Sequence, residues 1–264
     1  MMNRSGRSYA VILGTNEVAS ATAIELHGAG WSVVLAHDPN PPVLRRGMAF
    51  HDALFGDPAV IAGVGAERAD TAVEVIAALA QSRSVIVTTL GLLDLIVLDR
   101  LDLLVDARLQ PAGTTPDLRW LARISIGIGP GFVEGANCDI AIGASEAALP
   151  RPADAQAKRT VQSTVHGVWR TPVEIGTHIF KNFILGHLDG VPIHSPVDGL
   201  ITGAVRDGTE VLAGVELVEI DRRVRKARWS GLDDRGRALG AAALDAIRTR
   251  AASQAPQDAS APPA

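Results

Sequence analysis

The sequence predicts two folded units: an α/β domain built on a doubly wound, largely parallel sheet, followed by a smaller all-β domain. Three observations support this prediction. Short apolar runs alternate with helical patterns over residues 1–146, which is typical of a parallel sheet covered by helices. Residues 165–222 are rich in β-branched residues and glycine and lack a long helical pattern. The composition, with 47% hydrophobic and 20% charged residues, is that of a globular protein.

Strands and helices alternate along the first unit. Continuous apolar runs predict buried strands at residues 9–13, 31–36, 84–88, 102–106 and 123–128. Apolar residues at helical spacing predict helices over residues 18–27 and 70–82. Because each strand is separated from the next by a helical segment or a loop, the order favours parallel pairing.

The second half of the chain divides by composition. Residues 147–164 are rich in Ala, Pro and Gln and are predicted to be a linker. The β domain follows over residues 165–222, and residues 223–250 contain a helix that is expected to pack on the core. The Pro, Ala, Ser and Gln content of residues 251–264 predicts a disordered tail.

An internal repeat runs through the β domain. Residues 165–168 (VHGV) align with residues 197–200 (VDGL), 32 positions later, and the match continues through the glycines at 176 and 208. Neither copy can bury its apolar face alone, so the two halves are expected to interlock. The arrangement resembles the barrel-sandwich of lipoyl and biotinyl carrier domains. Residues 186–193 between the halves contain no lysine, so a swinging-arm role is not expected.

Charge and cysteine content exclude several classes of function. The formal net charge of −4 gives no electrostatic basis for binding nucleic acid or an acidic membrane. The single cysteine, Cys138, excludes an intramolecular disulfide and is expected to be a small buried residue; a persulfide-carrying thiolate is the alternative. The seven histidines show no zinc-ligand spacing, so no metal site is predicted. No secretory signal is visible, which predicts a cytoplasmic protein.

The turn that follows the first strand is a candidate phosphate site. Gly14 stands where a strand meets a helix, and Asp38 closes the second strand, where dinucleotide-binding folds hold a ribose. These features predict a Rossmann-like domain. However, Asn16 and Ala19 replace the second and third glycines of the usual GxGxxG pattern. A turn that binds nothing, or a different phosphate, remains the alternative.

Two adjacent arginines, Arg45 and Arg46, follow a Pro-Pro pair and precede an apolar stretch. Guanidinium groups recognise phosphate and carboxylate bidentately, so both residues are candidate ligand contacts. The alternative is a solvated charge pair on the surface.

A glycine-rich loop follows the last predicted strand. Gly127, Gly129 and Gly131 lie together with a proline in a six-residue segment. Such a loop permits close approach of the backbone to an anion or a flat ligand. A sharp turn at the sheet edge explains the composition equally well.

Together these segments resemble the accessory proteins encoded with selenium-dependent molybdenum hydroxylases, which act in maturation of the molybdenum cofactor. The resemblance rests on the Gly14 turn and on residues 42–50 (PVLRRGMAF), 104–108 (LVDAR), 126–132 (IGIGPGF), 195–199 (SPVDG) and 205–208 (VRDG). It implies that Asp106 and Arg108 join the ligand site. Two strings depart from the family, since residues 14–17 read GTNE rather than Gly-x-Gly-Asp, and residues 142–146 lack an Arg-Gly-His string. The chain is therefore expected to be a diverged paralogue.

The resemblance implies an accessory factor in maturation or insertion of the molybdenum cofactor, which binds a phosphorylated pterin or a nucleotide on the first domain. A molybdenum hydroxylase or related enzyme is the implied partner, and the high Ala and Val content is compatible with a homodimer. An NAD(P)-dependent oxidoreductase and a ligand-free assembly scaffold acting through the β domain are the alternatives. No catalytic residue is predicted. The candidate cofactor-binding residues are Gly14, Asn16, Asp38, Arg45, Arg46, Asp106, Arg108, Gly127, Gly129 and Gly131.

Overall fold

The computed structural model describes residues 8–81, 83–96, 101–110, 115–143 and 157–254. The first part of the chain forms one eight-stranded sheet with the order β3-β4-β5-β2-β1-β6-β7-β8. Its strands are β1 (Tyr9–Leu13), β2 (Ser32–Ala36), β3 (Val60–Ile61), β4 (Val64–Arg68), β5 (Val85–Thr88), β6 (Leu101–Asp106), β7 (Ala122–Ile128) and β8 (Ile140–Ile142). The predicted strands in this region each correspond to one of these elements. The central strands β1, β2, β5 and β6 are buried along their whole length, as parallel strands covered on both faces should be.

Helices cover both faces of this sheet. They are α1 (Glu17–Gly28), α2 (Ala72–Gln81), α3 (Leu92–Ile96) and α4 (Asp234–Gln254). One core lies between the sheet and the pair α1 and α4, and the other lies between the sheet and α2 with α3. α1 and α4 approach closely at two glycines of α4: an ideal Cβ on Gly236 would lie 2.9 Å from the Cβ of Ala21, and one on Gly240 3.0 Å from the Cα of Thr22. No helix in the described ranges is long and apolar enough to span a membrane.

The prediction of a parallel sheet is wrong at one edge, where β3 runs antiparallel to β4. The two strands are joined by the two-residue turn Ala62-Gly63, in which both residues have positive φ (51° and 80°). A two-residue turn of this kind leaves no room for the crossover that a parallel pair requires. The sheet is therefore mixed, with seven parallel strands and one antiparallel edge strand.

The second part of the chain forms two four-stranded antiparallel sheets, with orders β13-β12-β10-β15 and β11-β14-β16-β9. Their strands are β9 (Lys158–Gln162), β10 (Gly167–Arg170), β11 (His178–Ile179), β12 (Ile184–Leu188), β13 (Val191–His194), β14 (Gly199–Ala204), β15 (Glu210–Val211) and β16 (Glu216–Asp221). The core between them contains the fully buried Trp169. Each copy of the repeat gives a short strand to the other copy's sheet, because β15 pairs with β10 and β11 pairs with β14.

The lipoyl-like prediction for this domain is contradicted by its make-up. β9 lies in the segment predicted as a linker, yet it pairs with β16 from Lys158 to Gln162 and covers the outer edge of that sheet. β13 adds a further strand outside the aligned repeat. The remainder of the predicted linker, 147–156, lies outside the described residues, as do positions 255–264 of the predicted tail. Residues 251–254, also predicted to belong to the tail, are the last turn of α4.

Candidate functional site

A small crevice lies at the carboxyl ends of β1, β2 and β6. The chain passes from β1 to β2 on one side of β1, while β6 lies on the other side, so the strand order reverses at this point. Open α/β sheets bind their ligands at such reversals. The crevice is lined by Gly14, Thr15, Asn16, Asp38, Asn40, Pro41, Val43 and Arg108. Its free volume is about 10 Å³, which is close to the space that one water molecule needs.

Gly14 makes the turn from β1 into α1. Its φ of +109° lies where side-chain-bearing residues are strained, and an ideal Cβ would lie 3.3 Å from the carbonyl oxygen of Ala107. Its N–H donates to the carbonyl of Ala36 at 2.8 Å. The glycine thus allows β1, β2 and the segment after β6 to meet at the base of the crevice.

Asn16 closes the amino terminus of α1. Its Oδ1 accepts from the N–H groups of Val18 (3.0 Å) and Ala19 (2.9 Å), which are two of the donors that a helix leaves unpaired at its start. Its Nδ2 donates to the carbonyl of Ala107 at 2.8 Å. The residue predicted as a departure from the phosphate-binding pattern is therefore the helix cap, and it also bridges α1 to the segment after β6.

Asp38, Asp106 and Arg108 form one ion-pair cluster across the crevice. The Arg108 guanidinium donates to Asp106 Oδ2 at 2.6 Å and to Asp38 Oδ2 at 2.8 Å. Hydrogen bonding to Asp106, reinforced by the charge of both carboxylates, raises the pKa of Arg108 above its ordinary value despite partial burial. Two carboxylates facing one guanidinium leave the cluster with a net negative charge. The structure thus brings these three predicted residues together.

Two histidines that the sequence analysis did not select lie beside the crevice. The Thr15 hydroxyl is 3.0 Å from Nδ1 of His51 and 3.4 Å from Nδ1 of His37. Burial lowers the pKa of His37, and burial together with the neighbouring His37 lowers the pKa of His51 to about 4. Both rings are therefore neutral at pH 7. His37 directly follows β2, and residues that follow parallel strands lie at the end of the sheet where ligands bind. This position in the sequence is the signal that could have identified His37.

Arg45 lies in the contact between the two domains rather than in the crevice. It donates to Glu219 Oε2 of β16 at 2.7 Å and lies 3.8 Å from Glu17 and 3.6 Å from Asp233. Burial acts to lower the pKa of Arg45, but the surrounding carboxylates raise it above its ordinary value. Burial raises the pKa of Glu17, whereas Arg45 and Lys158 outweigh burial and lower the pKa of Glu219.

Arg46 also makes a contact between the domains. Its Nε donates to the carbonyl of Ala204 in β14 at 2.8 Å, and its Nη1 donates to Asp52 at 2.7 Å. Asp52 in turn accepts from Arg206 of the β domain at 3.2 Å. Both guanidinium groups are held by protein partners, which differs from a solvated surface pair, while their role as ligand contacts stays a prediction.

The glycine-rich loop is shaped by packing. An ideal Cβ on Gly127 would lie 2.0 Å from the ring of Phe132, which is itself buried, so glycine makes room for that ring. Gly129 and Gly131 have positive φ values of 114° and 88°. The carbonyl of Gly131 accepts hydrogen bonds from Asn137 and Thr115, which fold the loop back on itself. None of the three glycines is among the residues that line the crevice.

Cys138 is fully buried next to this loop, as predicted. Burial raises the pKa of its thiol, which disfavours the thiolate that a persulfide role requires. Among the described residues no group of three or more His, Cys, Asp or Glu side chains is placed to hold a metal ion.

Comparison by sequence finds no matching family model. The chain is 27% identical over 270 aligned positions to an Escherichia coli K12 protein named "Uncharacterized protein YqeB". The alignment covers 92% of this chain and 48% of YqeB, so the chain spans about half the length of that relative.

Comparison by structure finds two proteins named for a succinylglutamate desuccinylase/aspartoacylase or aspartoacylase family and one named for ectoine utilization. One from Shewanella amazonensis shares 9% identity over 84% of this chain and 92% of its own, with a TM-score of 0.26. An aspartoacylase family protein from Mesorhizobium loti shares 10% over 82% and 86%, with a TM-score of 0.24. The ectoine utilization protein EutE of Ruegeria pomeroyi shares 11% over 82% and 86%, also with a TM-score of 0.24.

The names of these neighbours conflict with one expectation, the predicted role in maturation of the molybdenum cofactor. Two of them are named for a desuccinylase/aspartoacylase family and none is named for molybdenum-cofactor maturation, so the predicted maturation role is not carried further. Their TM-scores and identities do not carry their own activity to this chain. What the chain's own geometry offers is the crevice between β1, β2 and β6.

Proposed function

We propose that the α/β domain is a binding module for a nucleotide, which it holds by the ribose at the crevice between β1, β2 and β6. The observation that supports this is the lining of the crevice: Gly14, Asp38 and Arg108 come from the carboxyl ends of three adjacent strands and converge on one point. The proposed function is nucleotide binding, without a redox reaction or a role in cofactor maturation.

Asp38 supplies the ribose contact. Its Oδ2 accepts from Arg108 (2.8 Å) and from Gln110 (3.3 Å), and both donors are side chains that ribose hydroxyls can replace. Its Oδ1 accepts from the N–H of Asn40 at 2.9 Å, which fixes the carboxylate. A carboxylate near the end of the second strand is the usual partner of ribose hydroxyls in dinucleotide-binding α/β folds.

The charge of the crevice determines how the ligand lies. Because Asp38 and Asp106 outnumber Arg108, the ligand group beside Asp38 must donate hydrogen bonds, as hydroxyls do, rather than carry negative charge. A phosphate fits instead beside Thr15 at the positive end of α1, where it would compete with the Asn16 side chain for the N–H groups of Val18 and Ala19. Since the free volume is only about 10 Å³, the ribose enters as Arg108 leaves Asp38 and keeps its bonds to Asp106.

Isothermal titration with AMP, 2′-deoxy-AMP and NAD⁺ tests this proposal. We expect AMP to bind, 2′-deoxy-AMP to bind at least about tenfold more weakly, and Asp38→Asn to weaken AMP binding by a similar factor. Asp70→Asn is the matched control, because Asp70 is also paired with an arginine but lies in an exposed pair outside the crevice. Absence of binding by all three ligands, or equal affinity for AMP and its 2′-deoxy form, would overturn the proposal.

A further inference from the structure

A second, larger cavity lies at the amino ends of the parallel strands, whereas the crevice lies at their carboxyl ends. It is lined by Ser8, Trp31, Asp102, Arg123, Ile124, Ile247 and Ala251. These residues stand just before β1 and β2, at the first residues of β6 and β7, and on the last turns of α4. Its volume is about 380 Å³, within the range of small-molecule sites, which begins at about 300 Å³. The crevice at the carboxyl ends of the strands has about 10 Å³.

One end of this cavity carries two opposite charges. Asp102 has a side chain that is only 10% exposed, whereas the side chain of Arg123 is 65% exposed. Their closest approach, Arg123 Nη1 to Asp102 Oδ1, is 3.5 Å, which is long for a charge-assisted hydrogen bond. The other oxygen of Asp102 accepts from the N–H of Tyr9 at 3.0 Å, so the position of the carboxylate is fixed while Arg123 can move.

Apart from Ser8, the remaining walls of the cavity are apolar. Trp31 and Ile124 are partly buried against the core on the α1 and α4 side of the sheet, and Ile247 of α4 belongs to that core. An indole ring with two branched aliphatic side chains accepts the apolar body of a ligand. The cavity therefore matches a molecule that carries two opposite charges at one end and an apolar group at the other.

We propose that this cavity binds a free α-amino acid with a large apolar side chain. Its ammonium group donates to Asp102, its carboxylate accepts a bidentate pair of hydrogen bonds from Arg123, and its side chain lies against Trp31, Ile124 and Ile247. In this arrangement the ammonium group faces Asp102 and the carboxylate faces Arg123, so each charged group of the ligand meets its opposite. The site is independent of the nucleotide crevice, which lies at the other ends of the strands.

Isothermal titration of the full chain with L-phenylalanine, N-acetyl-L-phenylalanine and L-phenylalaninamide tests this site. The acetyl derivative lacks the ammonium charge and the amide lacks the carboxylate, so both are expected to bind at least about tenfold more weakly than phenylalanine. Arg123→Gln should weaken phenylalanine binding by a similar factor. Arg248→Gln is the matched control, because the Arg248 side chain is equally exposed, at 65%, and lies on α4 outside the cavity lining.

Failure of phenylalanine, leucine and tryptophan to bind the wild-type chain would overturn the proposal. Binding that is unchanged by Arg123→Gln, or equal for phenylalanine and both derivatives, would overturn it as well, because the charged pair would then play no part. Asp102→Asn tests the ammonium contact, and the acetyl derivative decides the same point if that variant does not fold. Asp38→Asn should leave phenylalanine binding unchanged, so the amino-acid site and the nucleotide site can fail separately.

Discussion

The guanidinium of Arg45, which stands between β2 and β3, donates to Glu219 Oε2 of β16 at 2.7 Å and so joins the two domains. The side chains of Arg45 and Glu219 are 14% and 7% exposed. Lys158 of β9 completes the cluster by donating to Glu219 Oε1 at 2.9 Å. The contact depends on the fold of both domains, because its partners lie 174 residues apart in the chain.

Replacing Arg45 by methionine should destabilise the protein strongly. The change leaves Glu219, Glu17 and Asp233 without their shared cation in a largely buried position, and loss of one partner of a buried ion pair costs about 3–5 kcal/mol. Urea unfolding measures the loss. Arg248→Met is the control, since the exposed pair between Arg248 and Asp245 should contribute no more than about 1 kcal/mol. Equal losses of unfolding free energy in both variants would show that the buried cluster stabilises the protein no more than an exposed ion pair does.

The stability of the protein should fall as the pH drops from about 6.5 towards 4, in part because of His51. Burial lowers the pKa of His51 to about 4 from an ordinary value of 6.5, so the unfolded chain binds a proton in this range that the folded chain does not. Linkage then predicts a loss of roughly 3 kcal/mol that is complete near pH 4 and is regained above pH 6.5.

The contribution of His51 is measured by comparison with His51→Asn, in which an amide can replace the contact between Nδ1 and the Thr15 hydroxyl. Protonation of carboxylates with a lowered pKa, such as Glu219 and Asp221, also destabilises both proteins in acid. The informative quantity is therefore the difference between the two curves of unfolding free energy against pH. Parallel curves from pH 4 to 7 would contradict a depressed pKa at His51.

The sequence identifies the elements of the first sheet well and the roles of its polar residues poorly. β1, β2 and β6 are continuous apolar runs, and burial on both faces requires just that pattern. β4 was missed because its side chains are half-buried or exposed, and it gives no such run. Asp38 and Arg108 follow strand ends, so topology alone brings them together. Arg45 and Arg46 find their partners in the other domain, which no local pattern encodes.

Gly127→Ala should be destabilising because the new methyl group meets Phe132. An ideal Cβ would lie 2.0 Å from the ring, and overpacking of this kind costs about 1–3 kcal/mol. In the background of Phe132→Ala the same change should cost almost nothing, because the ring is gone, and this double-mutant cycle separates packing from any effect of the loop itself. Gly28→Ala, with no atom within 4 Å of the new Cβ, is the neutral control. Additive losses would refute the steric explanation.

Asn16 has two separable contributions, the helix cap and the bridge to Ala107, and two variants should divide them. Asn16→Ser keeps a capping oxygen for the N–H groups of Val18 and Ala19 but loses the donor to the Ala107 carbonyl, so we expect a loss of about 1 kcal/mol. Asn16→Ala loses the cap as well, and the loss should rise to about 2 kcal/mol. Urea unfolding measures both values. If the serine variant were as stable as the wild type, the hydrogen bond from Asn16 to Ala107 would contribute nothing to stability. The contacts of Arg108 would then be the remaining side-chain link across the crevice.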